Sequence, residues 1–432
     1  MKIYTYPSDE GEQRVCDTIE RGLGFTPDDY KAVEAYIADV KQRGDQALVE
    51  YTNRFDSPHV TPATLEVTQE EIERAKELVD PDFSRALDRA VDQLESFHSR
   101  QRQNSWIDTP RAGVMVGQMV NPVDAAGIYA PGATGGKTPL VSSVLMGGIP
   151  AKVAGVQSRI LMTPPMADGT INPYMLAAAD RVGITSVFKA GSAWAIAALT
   201  FGTATVPKVD VIVGPGNIWV TLAKKIVSGT VGIDMIAGPS EILILADKGA
   251  NPDYLAADLL SQAEHDPMAS AILVTDAMEI ATATSKALDV QIKALSRQEI
   301  AQSSIDDFGA IMVVPDMDTG IALANRLAPE HLEIMVDNPF EQVGKIRNAG
   351  AIFLGPYTPE PMGDYIAGPN HVLPTAGTAR FSSALSVDNF TKKTSLINYS
   401  KEAFDQEAED VMVLAEIEGL DAHANSVRVR TK

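Results

Sequence analysis

Cysteine is almost missing: Cys16 is the only one in 432 residues. No internal disulfide can form, and any metal site must be built from nitrogen and oxygen donors. No apolar run approaches the roughly 18–20 residues of a membrane span. The opening, MKIYTYPSDEGE, has no apolar h-region, so no signal peptide is expected and a cytoplasmic protein is. Cations are scarce, with 36 Lys and Arg against 57 Asp and Glu and a net charge of -21. Such a surface repels phosphate backbones and argues against nucleic acid or anionic membranes as partners. The dinucleotide fingerprint GxGxxG is absent. The turn Pro131-Gly132-Ala133-Thr134-Gly135-Gly136-Lys137-Thr138 imitates a P-loop but has proline where the first glycine is required.

What is present is a chain long enough for two or more domains. The first hundred residues read as helices at 28–44, 45–55, from the capping box Thr68-Gln69-Glu70-Glu71, and from Pro81 to about 103. From Val123 onward strands alternate with helices. Strands are expected at 159–163, 186–190, 209–213, 242–246, 271–275, 310–314, 332–336 and 351–354. Helices are expected at 173–181, 193–200, 217–227, 252–263, 278–294, 319–327 and 340–348. This βαβ pattern predicts parallel sheets with helices on both faces. Residues 355–384, rich in Pro and Gly, read as loop, and 400–420 as an acidic helix.

The stretch LLSQAEHDP, 259–267, carries the first chemistry. It continues a helical run with apolar Tyr254, Leu255, Ala257 and Leu259. One more turn sets Gln262 and His265 three residues apart on one face. An amide oxygen and an imidazole suit a divalent cation. The plainer reading is an exposed Gln and a histidine at a helix end, facing the dipole. Three later histidines also sit near acids: His331 follows Glu330, His371 follows Asp364, and His423 follows Glu418. Together they outline a mixed N/O shell of Gln262, His265, Asp364 and one more histidine. Neighbours Glu330 and His331 point to different sides of the chain and suit two separate acid/base roles. The structural alternative is a loop Glu and a strand-starting His. Gly214-Pro215-Gly216-Asn217 follows a strand and opens a helix, so its amides could face an anion.

Gly232–Glu241 (GIDMIAGPSE), LLSQAEHD, APEHLE, GDYIAGPNHVLPT and EGLDAH closely resemble the histidinol dehydrogenases, oxidoreductases of histidine biosynthesis. The likeness runs from about residue 31 to the end. It implies Zn2+ held by Gln262, His265, Asp364 and His423, the last given by the partner subunit of a homodimer. It implies Glu330 and His331 as the acid/base pair. Ser240, His371 and Glu418 would hold L-histidinol beside the zinc ligands. Tyr129 and Asn217 fall where the family meets NAD+. Trp194 stands where the family typically has a Gln, and the loop PGATGGKTPL departs from the commoner Gly-Gly-Thr-Ala-Pro-Leu type. The implied fold is α/β, two incomplete Rossmann-like domains with small terminal segments in an intertwined homodimer. An arm at 1–24, a larger domain at 25–128 with 240–384, a smaller one at 129–239 and a dimerisation tail at 385–432 follow. Two other readings remain: a paralogue oxidising another polar alcohol such as a sulfonated diol, and a non-catalytic zinc-binding protein.

Overall fold

Strands buried along their whole length need cover on both faces, and parallel sheets supply it. Glu241–Ala246 and Ser270–Thr275 are buried at every residue. In the computed structural model, which describes residues 1–21, 24–133 and 138–431, they lie at the centre of a six-stranded sheet. Its order is Ile3–Thr5, Ala310–Val313, Ser270–Thr275, Glu241–Ala246, His331–Met335 and Ala351–Leu354, parallel throughout. One face buries Leu255, Leu259, Leu260 and Ala263, and the other buries Leu323, Ala324 and Leu327. The first strand comes from the expected N-terminal arm, which is an edge of this sheet.

A second parallel sheet has five strands, in the order Gly232–Ile233, Val211–Val213, Ala125–Tyr129, Ser158–Thr163 and Ser186–Lys189. The chain builds outward from Ala125–Tyr129 in one direction, then returns to add strands on the other side. Ligands of open α/β sheets collect at the carboxyl ends of strands where the order reverses this way. Helices Pro27–Arg43 and Asp45–Phe55 pack here, sharing one core with Ala193–Leu199 and Leu222. Residues 25–60, assigned from sequence to the other domain, thus lie on this sheet. An amphipathic face states that it must be covered but not which sheet covers it.

These sheets form one compact unit, residues 1–101 and 124–390. Residues 102–123 and 391–432 form another. There Trp106–Arg111, Val114–Pro122 and Thr391–Tyr399 make a three-stranded antiparallel sheet, followed by helices Lys401–Ile417 and Asp421–Arg428. The helix expected at 340–348 is only Pro339–Val343. The backbone amides of Arg347 and Asn348 donate to Asn325 Oδ1 instead of continuing a helix. The glycine-rich turn singled out above lies in part, at 134–137, outside the described residues.

Candidate active site

His331 is the first residue of strand His331–Met335, and Glu330 immediately precedes it. The strand lies in register with Ile242 opposite His331, which brings the peptide units of Glu241 against the pair. The Glu241 N–H donates to Glu330 Oε2 at 2.9 Å. The Glu241 carbonyl lies 2.9 Å from His331 Nδ1. A carbonyl only accepts, so Nδ1 carries the ring proton and the lone pair sits on Nε2. That Nε2 is sealed from solvent with no hydrogen-bond partner. It lies 3.9 Å from Glu360 Oε1 and 4.0 Å from Asp364 Oδ1. Glu330 Oε2 lies only 3.8 Å from His331 Nδ1, so the two groups meet the backbone of one residue, on its two successive peptide units, and do not face opposite ways.

Burial sets their proton affinities. It pushes His331 below the ordinary histidine value, against the pull of Asp364. It raises Glu330 well above the usual carboxylate range, aided by Glu241, Glu360 and Asp364. Asp364 rises to about 7, first by desolvation and then by Glu360. Such opposed displacement in one closed space is the mark of acid–base machinery.

Gln262 lies in the last turn of helix Pro252–Ala263, fully buried, and its Oε1 has no partner. The helix ends at Ala263, before His265, yet the His265 amide donates to the Gln262 carbonyl at 3.2 Å. This tight turn sets Gln262 Nε2 3.5 Å from His265 Nδ1. The two residues are therefore together, with His265 exposed. On that helix Leu255 and Leu259 face the core, whereas Tyr254 and Ala257 are exposed. Asp364 stands on a short helix, Glu360–Tyr365, within the stretch expected to be loop. His371 Nε2 is also sealed without a partner. Burial pushes the His371 ring down to about 4, and both His331 and His265 add to it. Gln262 thus lies with His265, and His331 with Asp364. Ser240 immediately precedes strand Glu241–Ala246. Glu418 caps helix Lys401–Ile417, and His423 lies on Asp421–Arg428, in the other unit.

Sequence reasoning missed Glu360. Its carboxylate, with His331 and Asp364, offers ligand atoms within 4.8 Å of one another. Ser261 Oγ donates to Glu360 Oε2, and the Glu360 amide to Glu333 Oε1, each at 2.9 Å. Burial also raises Glu333, with Asp258 against it. Glu360 gave no signal because it lies in a Pro-rich stretch, four residues before Asp364 and with no histidine beside it. Its one clue was the i, i+4 spacing from Asp364.

The expected cofactor residues stand at carboxyl ends of the five-stranded sheet. Tyr129 ends Ala125–Tyr129, and its hydroxyl accepts the Ser192 amide at 3.0 Å. Asn217 caps helix Ile218–Val227, accepting from Trp219 and Val220. Gly214 has φ +113, and a Cβ there would come 2.1 Å from the Tyr129 carbonyl oxygen. Lys224 and Asp234, a buried ion pair, bind its carbonyl and amide. Trp194 is 4% exposed and stacks on Phe55 at 5.1 Å between centroids. Tyr36 and Tyr51 complete that cluster.

Fold and site define an α/β enzyme with a buried Glu–His pair beside a mixed nitrogen and oxygen donor set. The family model described as Histidinol dehydrogenase matches residues 25–431. The chain is 57% identical over 401 residues to the histidinol dehydrogenase of Desulfotalea psychrophila, covering 93% of this chain and 92% of that one. It is 52% identical over 432 residues to the one of Clostridium acetobutylicum, covering 100% and 99%. A crystal structure of histidinol dehydrogenase from Elizabethkingia anophelis superposes with a TM-score of 0.93 at 39% identity, covering 100% of this chain and 98% of that one. The chain belongs to the histidinol dehydrogenase family, and it is an oxidoreductase. Among the described residues no helix is long and apolar enough to cross a membrane.

Proposed function

We propose that this chain oxidises L-histidinol to L-histidine in the cytoplasm as a homodimer, using two NAD+ and one zinc ion per subunit. The observation that carries the reading is the free Nε2 of His331, buried without a partner and faced by two carboxylates. The zinc ligands proposed are Gln262, His265, Asp364 and the partner subunit's His423. The fit rests on a donor set without sulfur and on the buried, unpartnered Gln262 Oε1, which wants a cation or a donor. Bound zinc would hold the substrate's imidazole and amine and so fix the alcohol carbon. NAD+ would accept one hydride in each oxidation. Tyr129 and Asn217 are the proposed cofactor contacts; Trp194, expected with them, is 4% exposed and packs in the core. The glycine at 214 supports this, since it lets two strand-end turns approach each other closely.

His331 Nε2 takes the hydroxyl proton while the carbon gives up its hydride, leaving the aldehyde. Its Nδ1–H stays on the Glu241 carbonyl, which keeps the ring oriented as it charges. Glu330 draws a proton from water as that water adds to the aldehyde, and His331 returns its proton to the former carbonyl oxygen, so a gem-diol results. His331, having shed its first proton, removes the next one as the second hydride leaves. Ser240, His371 and Glu418 are proposed to hold the substrate, Glu418 at its amino end. The test is a steady-state NADH assay on L-histidinol, with and without a chelator. Two NADH per histidinol and loss of turnover with chelator are expected. One NADH, with no histidine formed, would sink the reading.

The paralogue reading drew its support from Trp194. The burial of that indole among Phe55, Tyr36 and Tyr51 accounts for it as core packing, so no observation favours a sulfonated diol.

A further inference from the structure

Both members of the acid–base pair hang on one residue's backbone, so whatever fixes residue 241 fixes the pair. Arg21, at the end of helix Asp9–Glu20, does the fixing. Its Nη2 donates to Glu241 Oε1 at 2.8 Å and to the Pro239 carbonyl at 3.3 Å. One guanidinium nitrogen thus grips the chain on either side of Ser240, just where it enters the central strand. The ion pair is closed from water, with side chains 4% and 11% exposed. Phe308 lies under the guanidinium, its ring centre 5.6 Å away. Exposed ion pairs hold little in place, but a buried pair with several partners has one geometry.

Its place in the fold makes it more than packing. The Glu241 side chain is held by Arg21 while the same residue's amide holds Glu330 and its carbonyl holds His331. We infer that the Arg21–Glu241 ion pair is the positioning device of the acid–base pair, set by the N-terminal helix from outside the site. Arg21 touches neither acid–base group and is a positioning residue. A slip of the backbone at residue 241 would loosen the ring tautomer and the Glu330 carboxylate together. Orientation errors of this size lower turnover more than substrate binding.

The inference rests on the histidinol-oxidising reading, so two readouts separate them. The zinc-loaded enzyme is first assayed on L-histidinol; failure there strikes the functional reading. The Nδ1 proton of His331 is then followed by 15N NMR without substrate. It exchanges slowly in the native chain and fast in Arg21→Met if the pair positions the ring. In turnover, Arg21→Met lowers kcat at least tenfold, with KM for histidinol within threefold and zinc content unchanged. Arg21→Lys recovers most of that loss. The double variant R21M with E241Q removes both buried charges, so it regains thermal stability but not kcat. A kcat within twofold of native in Arg21→Met, full turnover in the double variant, or a rise in KM together with a loss of zinc would each overturn it.

Discussion

Replacing His331 with Asn separates chemistry from scaffolding. The ring's Nδ1–H goes to a backbone carbonyl and its Nε2 to nothing, so the substitution removes the free lone pair and little packing. Turnover is expected to fall roughly 10²–10⁴-fold, the range of a lost general base, with zinc retained by metal analysis. A second residue gives a pH signature. Asp56 is raised by burial from 3.8 to about 6, and its Oδ2 is sealed without a partner. Between those values the folded chain keeps a proton that the unfolded chain has lost. Stability therefore falls as pH rises through this window, and above it the fold carries an unrelieved charge. Asp56→Asn is expected to stabilise the protein by about 1 kcal/mol near neutral pH, after allowance for partial exposure, and not below about pH 4. Thermal melts at the two pH values check it. At this scale the sequence pointed to side chains suited to chemistry but not to what seals them. Glu330 and His331 could be named from their adjacency. That the backbone of one residue ties both follows only from the register of Ile242 on His331, a pairing distant in sequence.

Helix Pro252–Ala263 carries Gln262 into the site because Leu255 and Leu259 anchor it. Leu259→Ala leaves a cavity beneath it and is expected to cost about 3 kcal/mol. Tyr254→Ala, at a position 45% exposed, should stay within about 0.5 kcal/mol. Denaturant titration distinguishes the two. Elements with strong punctuation were legible. Pro252, Pro173 and Pro81 each open their helices, and the capping box at Thr68 and Glu71 forms as read. Buried strands showed as short apolar runs between helices. Strands Trp106–Arg111 and Thr391–Tyr399 did not, because they are largely exposed and carry polar residues where an apolar run would announce them. Helix Gln298–Phe308 was hidden by its polar face, and Glu360–Tyr365 by the prolines around it. Local signals report local cost. Which sheet a helix packs on is decided by distant partners, so the placement of 25–60 was not readable.

The smaller unit exposes Ile397, Leu414 and Ile417, at 72%, 63% and 77%. Apolar residues this bare on one small sheet and helix are what the proposed dimer would cover. Under the proposed dimer, each catalytic centre borrows His423 from the partner subunit. Subunits carrying His331→Asn and subunits carrying His423→Asn are each inactive alone. Mixed by co-expression, half the dimers pair one of each, and each of those holds one intact centre. About a quarter of native activity should then return. No recovery, with mixed dimers verified by mass, would show that His423 serves its own subunit.

The amide and carbonyl at position 241 belong to every residue except proline, which lacks the first. Mutation there can change charge or bulk, yet both tethers to Glu330 and His331 survive. Only a proline would cut one. A lineage that drifts at this codon keeps both tethers but loses the carboxylate that Arg21 grips, so its chemistry lasts only where the N-terminal segment holds the strand's entrance still by another contact.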